Sequence, residues 1–582
     1  MSFSILENYN PVSNVIISEL RNIVGNEFIL TDIFDIFPYS MDATLFSPKN
    51  MPEVVVQPNT KEQVSKILKL ATEHRIPVVP RGSGSGLAGG ALAIYGGIVV
   101  DMTRFDKILN INIGNNIVEV ESGVICDNLN RELSKYGYFF PPDPGSSSIA
   151  TIGGMVGNNS GGIQAFKYGV TSNYVLSVET VLPTGEIMEF GSKTLKSTSF
   201  LNIKGLMVGS EGMLGIITRV TLKIRPLPKN RKSGFFIFDE FESITECVIK
   251  IRKKGIVPNI MEFLDKTTTK VCFEYLGGEY ANYPLGYFLL LEVDGTENQV
   301  FEEFEELRKI CLEKNPKFEK VAQSPKDRDD IIQARKAAIP ALSILAPTIV
   351  IEDCTINMSN LSEGLSKIED LSNKFSKQGL TIATFGHLEG NLHPTFMFNE
   401  NKSQEVAAFK KAVEDIYTKI VLPLGGTITG EHGIGIVREA YIDKEHNTSV
   451  ELMHKIKSLF DPSLILNPGK AKGSKRQEIT NPIQIPEKSA EDLSNLVPLS
   501  CMRCGFCVSE CPSYLNFRKE AFSPRGKMAL IKGISRGNLK VSEKFQKILY
   551  ACTLCGTCRV KCPALIDTIE IFEKIRTFFS KS

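Results

Sequence analysis

The chain of 582 residues has no tryptophan, only six histidines and thirteen cysteines, and almost no net charge. With Trp absent, aromatic packing falls to 34 Phe and 15 Tyr, which says nothing about function. The 67 basic and 66 acidic residues leave a formal charge of +1, so there is no overall field for holding DNA or RNA, and nucleic acid is not an expected partner. Long apolar runs are missing too. A membrane-spanning helix needs roughly 18 or more consecutive apolar residues. The best candidate, LAGGALAIYGGIVVDM, is interrupted by glycine and polar residues. The start, MSFSILENYNPVSNVII, lacks the basic segment, apolar run and small-residue cleavage site of a secretory leader. A cytoplasmic location is therefore expected, with attachment to a membrane through a partner left open. The share of hydrophobic residues, 42%, and of charged residues, 23%, fits a soluble globular protein of several domains.

Cysteine is sparse but not scattered. Eight of the thirteen lie in CMRCGFCVSECP, starting at Cys501, and CTLCGTCRVKCP, starting at Cys552. Both copies have the spacing C-x2-C-x2-C-x3-C-P. Three thiolates at this spacing can wrap one iron–sulfur cube, while the fourth points away and ligates the other cube. Cys501, Cys504, Cys507 and Cys562 are therefore assigned to one 4Fe–4S cluster, and Cys552, Cys555, Cys558 and Cys511 to the other. Structural zinc uses C-x2-C pairs but seldom this full run twice, and disulfides are disfavoured in the expected compartment. Cys126, Cys247, Cys272, Cys311 and Cys354 read as ordinary, partly buried residues. Such clusters move one electron at a time and bind no organic substrate, so another part of the chain must supply the electrons.

Patterning predicts an α+β chain in six parts: a helical N-terminal extension over 1–40, a sheet-rich cofactor domain over 41–230, a second α+β domain for the substrate over 231–440, a return segment over 441–470, a polar linker over 471–495, and a helical cysteine module over 496–582. VVV at 54–56 and IPVVP at 76–80 predict strands. Between them, Thr60 and Gln63 have capping-box spacing, and Val64, Ile67, Leu68 and Ala71 form a helical stripe.

Three glycine-rich stretches fall in the sheet-rich part: PRGSGSGLAGG, PPDPGSSSIATIGGMVGNNSGG and GSEGMLGIITR. They lack the Rossmann fingerprint and the GK[ST] of a Walker loop. Together they suggest a trench of backbone donors suited to a flat dinucleotide. Three of the six histidines sit in FGHLEGNLHP and GEHG, namely His387, His393 and His432, with Glu431 beside the last. Two imidazoles and a carboxylate can bind a divalent ion and leave positions open for substrate oxygens.

In this ordered set, together with GGTITGEHGIG and the closing NPGK, residues 40–470 resemble the FAD-linked oxidases of the vanillyl-alcohol-oxidase fold. The branch is that of glycolate oxidase FAD subunits, D-lactate dehydrogenases and D-2-hydroxyglutarate dehydrogenases. The tail resembles the iron–sulfur subunits that accompany such flavoproteins, including SPRGKMALIKG, but stops without their Cys-Cys-Gly domains. The resemblance implies a two-part FAD-binding domain with a substrate cap. It places Arg81, Gly82, Ser83, Gly84 and Ser85 at the pyrophosphate, and Pro144, Gly145, Ser146, Thr151, Gly154, Ser160 and Gly161 along the flavin and its linker. Gly212, Ile217 and Asn467 complete the cofactor site. It also implies His387, His393 and Glu431 as ligands of a divalent metal (Zn, Mn or Fe), His432 as the base, and Arg335 as the carboxylate-binding group.

One departure bears on the metal. Family members usually read FGHAGDGNLHP; here the loop is one residue shorter, with Glu389 roughly where Asp is expected, which could reposition a ligand, recruit Glu389 or remove the ion. The expected reaction is oxidation of a small 2-hydroxy acid, D-lactate or glycolate favoured, with electrons leaving through both clusters to an external carrier or redox partner protein. The alternatives are an electron-transfer subunit of a larger complex, and a dehydrogenase of another alcohol such as a polyol phosphate. The sequence fixes neither the acceptor nor the oligomeric state.

Overall fold

The computed structural model describes residues 9–44, 47–48, 50–199, 201–471, 480–481 and 501–580. The segment expected to be a linker, 471–495, lies outside the described residues except for Ala471, Thr480 and Asn481. Among the described residues, no helix is long and apolar enough to cross a membrane.

Three sheets organise the chain. The first begins with Val54–Val56, the helix Lys61–Glu73 and Val78–Arg81. The Thr60 hydroxyl accepts the Gln63 N–H at 3.2 Å, and the Gln63 side chain accepts the Asn59 N–H at 2.8 Å. The helix start is thus fixed by the two residues whose spacing announced it. Val64, Ile67, Leu68 and Ala71 are each 0% exposed, so the predicted stripe is the buried face. Both strands pair in parallel with Ile98–Asp101, which lies between them. Strand ends in parallel sheets open into crevices, and the loop after Val78–Arg81 is the first glycine-rich stretch.

The second sheet has five antiparallel strands in the order Ile187–Gly191, Val175–Val181, Ile216–Lys223, Ile117–Glu121 and Ile108–Asn112. It packs on the helix Ile152–Asn158, where Thr151 caps the Gly154 N–H at 3.2 Å.

The third sheet spans Asn230–Phe238 to Asn391–Phe398 and is buried on both faces. Helices Phe241–Lys253, Glu297–Leu312 and Leu361–Ser376 cover one side; Lys266–Leu276 and Pro325–Lys336 cover the other. Double burial explains the apolar run YFLLL at the start of the strand Tyr287–Gly295, which a half-exposed strand would alternate with polar residues. After the third sheet, the chain returns to the first: the Asn467 N–H donates to the Val78 carbonyl at 2.7 Å.

The N-terminal region does two jobs. Its helix Asn14–Val24 stops at Gly25, whose φ of +92° a glycine adopts without strain, and buries Ile16, Leu20 and Val24 against the first sheet. Phe34 and Phe37 instead enter the core of the cysteine module, beside Met528, Ile531, Phe545 and Ile548. Residues 33–40 are therefore shared structure, and they strap the C-terminal helices to the rest of the chain.

Candidate active site

The glycine-rich stretches, the third sheet and the cysteine module converge on one cavity of about 640 Å³. Arg81 to Ser85, Pro144, Gly145, Ser146, Thr151, Gly154, Ser160, Gly161, Gly212 and Ile217 all line it. Asn467 stands behind the wall, its amide donating to the carbonyls of Gly90 at 3.2 Å and Glu211 at 2.7 Å. The loop walls are tight: a Cβ on Gly82 would overlap the Thr151 hydroxyl, and Gly84 sits at φ +64° directly over the Arg81 guanidinium. Arg81 Nη1 is buried without a partner among the described residues. A buried guanidinium N–H left open, beside backbone donors freed of side chains, suits an anionic pyrophosphate.

At the other end, strands Thr381–His387 and Asn391–Phe398 form a hairpin joined by the turn Leu388–Gly390. Phe385 pairs with His393 and Gly386 with Leu392. Side chains alternate along a strand, so Phe385, His387, Asn391 and His393 share one face. At this loop length both imidazoles stand on that face. Gly390 permits the turn: its φ is +120°, and a Cβ would overlap the Ile356 carbonyl.

His387 Nε2 lies 3.5 Å and His393 Nε2 3.2 Å from Glu431 Oε1. The three ligand atoms fall within 4.8 Å of one another. Burial disfavours a charge on His387, yet the carboxylates of Glu262 and Glu431 outweigh it and hold its pKa well above the ordinary value. Burial likewise opposes ionisation of Glu431, but the two imidazoles keep it well below the carboxylate range. A divalent cation would serve the same carboxylates in place of that proton. Among the described residues Glu389 belongs neither to this group nor to the second such set, Asp353, His393 and His432, and burial pushes its carboxyl up to about 7.

His432 stacks on His393 with ring centroids 5.1 Å apart. Burial lowers its pKa to about 4, with Asp353 opposing, so the imidazole is neutral at pH 7. Its Nδ1 has no partner among the described residues. Arg335, on the helix Pro325–Lys336, reaches the cavity and is 8% exposed. Its Nε donates to Glu262 at 2.8 Å, and its guanidinium lies 4.6 Å from the Phe385 ring centre. Sequence reasoning found Arg335 but missed Glu262, whose other oxygen meets His387 Nδ1.

It also missed Asp353. One carboxylate oxygen of Asp353 accepts the N–H groups of Gly430, Glu431 and His432 at 2.8, 3.0 and 2.9 Å. Glu211 holds the far side of the same loop through the N–H groups of Ile434 and Gly435, both at 2.8 Å. The available signal was the acidic pair in IVIEDCTI, since charges inside an apolar run demand buried partners.

Met502, Cys504, Phe506 and Pro563 bring the cysteine module to the same cavity. Burial raises the Cys504 thiol to about 11, with Cys501 and Cys562 adding to the rise. Burial also raises Cys558, with Cys552 and Cys511 adding to it. The fourth cysteine of each run thus neighbours members of the other run. Cys555 is exposed.

The family model described as FAD binding domain matches residues 52–191, and that of the FAD linked oxidases, C-terminal domain, matches residues 227–471. A 4Fe-4S dicluster domain model matches residues 499–566. The chain is 36% identical over 434 residues to the glycolate oxidase subunit GlcD of Bacillus subtilis, covering 74% of this chain and 91% of that protein. It is 33% identical over 478 residues to a D-lactate dehydrogenase of Anaerostipes hadrus, covering 79% and 98%. Among solved structures, an alkyldihydroxyacetonephosphate synthase superposes with a TM-score of 0.64 at 21% identity, covering 80% of this chain and 87% of that one. p-Cresol methylhydroxylase with substrate bound gives 0.63 at 16% identity, covering 79% and 96%. These last two show the fold, that of the vanillyl-alcohol oxidases.

Proposed function

The chain belongs to the FAD-linked oxidases, and on that footing we propose that it oxidises a small 2-hydroxy acid to the 2-keto acid. D-lactate and glycolate are the favoured substrates, in keeping with relatives named for them. The observation that carries this reading is the single cavity shared by the glycine-rich trench, the His387–His393–Glu431 group, His432 and Cys504.

Bound FAD would supply the two-electron acceptor, and paired 4Fe–4S clusters the one-electron steps. Arg81 to Ser85 would hold the pyrophosphate. Arg335 would hold the substrate carboxylate, a task for which a planar fork outperforms a lysine. His387, His393 and Glu431 would hold a divalent ion (Zn, Mn or Fe), supplying polarisation of the substrate oxygens. His432, neutral and stacked on His393, would take the hydroxyl proton, while Asp353 fixes its backbone. Cys501, Cys504, Cys507 and Cys562 would hold the cluster nearer the cavity, and Cys552, Cys555, Cys558 and Cys511 the outer one. The exposure of Cys555 favours exit there to an external carrier.

Anaerobic mixing of the loaded enzyme with D-lactate, glycolate and D-2-hydroxyglutarate tests this. Bleaching of the flavin absorbance by at least one is expected. No bleaching by any of them, in protein containing both FAD and iron, overturns it.

A further inference from the structure

Arg525 is the second residue of the helix Pro524–Ser535, and its setting is unusually constrained. Ser523 caps this helix by accepting the Gly526 N–H at 2.8 Å, and a Cβ at Gly526 would overlap the Glu520 carbonyl. The SPRG sequence thereby turns the chain tightly and fixes where the arginine leaves it. The Arg525 side chain is 7% exposed. Its Nε and Nη2 bind the two oxygens of Glu520 at 2.8 and 3.0 Å. Nη2 also donates to the Ser83 carbonyl at 2.8 Å, and Nη1 to those of Gly84 at 3.2 Å and Arg503 at 3.5 Å.

Ser83 and Gly84 belong to the glycine-rich loop of the trench; Arg503 lies between Cys501 and Cys504. The two loops are pressed together at this point. Gly505 has φ +89°, and a Cβ there would stand 2.6 Å from Arg525 Nη1 and 2.8 Å from Ile149 Cδ1. A guanidinium has five donors in a rigid fork, and here it spends them on one counter-ion and on backbone carbonyls of both loops. Nothing about helix packing requires such a choice: the carbonyls belong to the walls of the flavin trench and of the first cysteine loop.

We propose that Arg525 is the positioning residue that couples the two redox sites, by locking the first cysteine loop onto the glycine-rich loop so that FAD binding and assembly of the inner cluster support each other. Because Met502, Cys504 and Phe506 form part of the cavity wall, a loop ordered by its cluster presents a finished wall to the flavin. Coupling of this kind is reciprocal: bound FAD must protect the inner cluster to the same extent. The inference rests on the cluster assignment given under the proposed function.

The test is a comparison of FAD dissociation constants in the full chain, with clusters reconstituted and after stripping by a chelator under nitrogen. Removal of the clusters should weaken FAD binding about tenfold in the parent, within the usual range of coupling between sites. In Arg525→Met combined with Glu520→Gln, which leaves no buried charge unpaired, FAD binding should already be weak and stripping should change it little. Arg525→Lys, which keeps the charge but not the fork, should give an intermediate coupling. In the parent, FAD should also slow loss of the inner cluster's electron paramagnetic resonance signal to chelator, while the ratio of FAD dissociation constants with and without clusters measures the coupling itself. A merely structural role would lower stability without altering this ratio. Parental coupling in the double variant, or its absence in the parent, overturns the inference; should the double variant fail to fold, the same criterion applies to Arg525→Lys. Protein that takes up neither iron nor FAD would instead sink the cluster and cofactor reading itself.

Discussion

Glu262 accepts the Nε–H of Arg335 at 2.8 Å, although both side chains are buried beside the cavity and 73 positions separate them in the chain. With its other oxygen the same carboxylate faces His387. One acid therefore orients both the group proposed for the substrate carboxylate and a proposed metal ligand. Glu262→Gln keeps the shape and weakens both bonds. Loss of such a partner behind a ligand typically costs 10–100-fold in metal affinity or activity, so about that loss in kcat/KM is expected, with a parallel fall in bound divalent metal on elemental analysis. Unchanged metal content and kcat/KM would remove Glu262 from the site.

The contrast between Glu262 and its partners shows what the sequence made legible. Features carried by neighbours in the chain were readable: the Thr60 cap, the Val64–Ala71 stripe, and the paired cysteine runs as one iron–sulfur module. His387 and His393 stood out because three of the six histidines cluster in FGHLEGNLHP and GEHG, and the hairpin that sets their two imidazoles on one face came only with the structure. Glu262, Asp353 and Arg525 were not, since each acts through contacts 73 or more positions away and has no pattern of its own. The strap made by Phe34 and Phe37 was hidden for the same reason, because an apolar pair near the N-terminus does not announce which core it will enter.

Asp353 invites a different experiment. It carries no proposed contact with substrate, yet the N–H groups of Gly430, Glu431 and His432 all converge on one of its oxygens. Asp353→Asn retains an acceptor but removes the charge, and replaces a charge-assisted bond with one roughly half as strong. A drop in kcat of about 10-fold or more is expected with a smaller change in KM, because the loop bearing the proposed base, His432, shifts while Arg335 is untouched. A pure KM effect, measured in steady-state kinetics, would place Asp353 in binding instead.

Asp143 supplies the pH dependence. It lines the cavity, accepts the Gln164 side-chain amide at 2.8 Å, and burial pushes its carboxyl up to about 7. An acid whose folded pKa is raised favours the folded state fully below its unfolded pKa, near 3.8, and that contribution is lost as pH rises through about 7. Asp143→Asn stays neutral throughout. Relative to the parent its melting temperature should therefore climb between about pH 4 and pH 7 and level off above, with a net gain on the order of 4 kcal/mol for a carboxyl raised from 3.8 to about 7. Parallel melting profiles for the two proteins would show that this carboxyl is not held neutral.

The cross-run ligation proposed for the cysteines makes a prediction that a simple reading of the repeats does not. If each run held its own cluster, Cys562→Ser would behave like Cys555→Ser, since both lie in the second run. Cys562 interacts electrostatically with Cys501 and Cys504 of the first run, and Cys558 with Cys511 of that run as well as with Cys552. Cys562→Ser should thus match Cys504→Ser, and Cys511→Ser should match Cys555→Ser, in which of two electron paramagnetic resonance signals each variant loses. With FAD held in excess, reduction of the flavin by substrate should survive in all four within a few-fold, because hydride transfer precedes the clusters. Turnover with an external one-electron carrier should fall by about two orders of magnitude or more in each, since removal of either cluster breaks a serial path. If the signals sort by run instead, the ligands are not shared between the repeats, and Cys504 is left as a wall of the cavity without its partner from the far end of the chain.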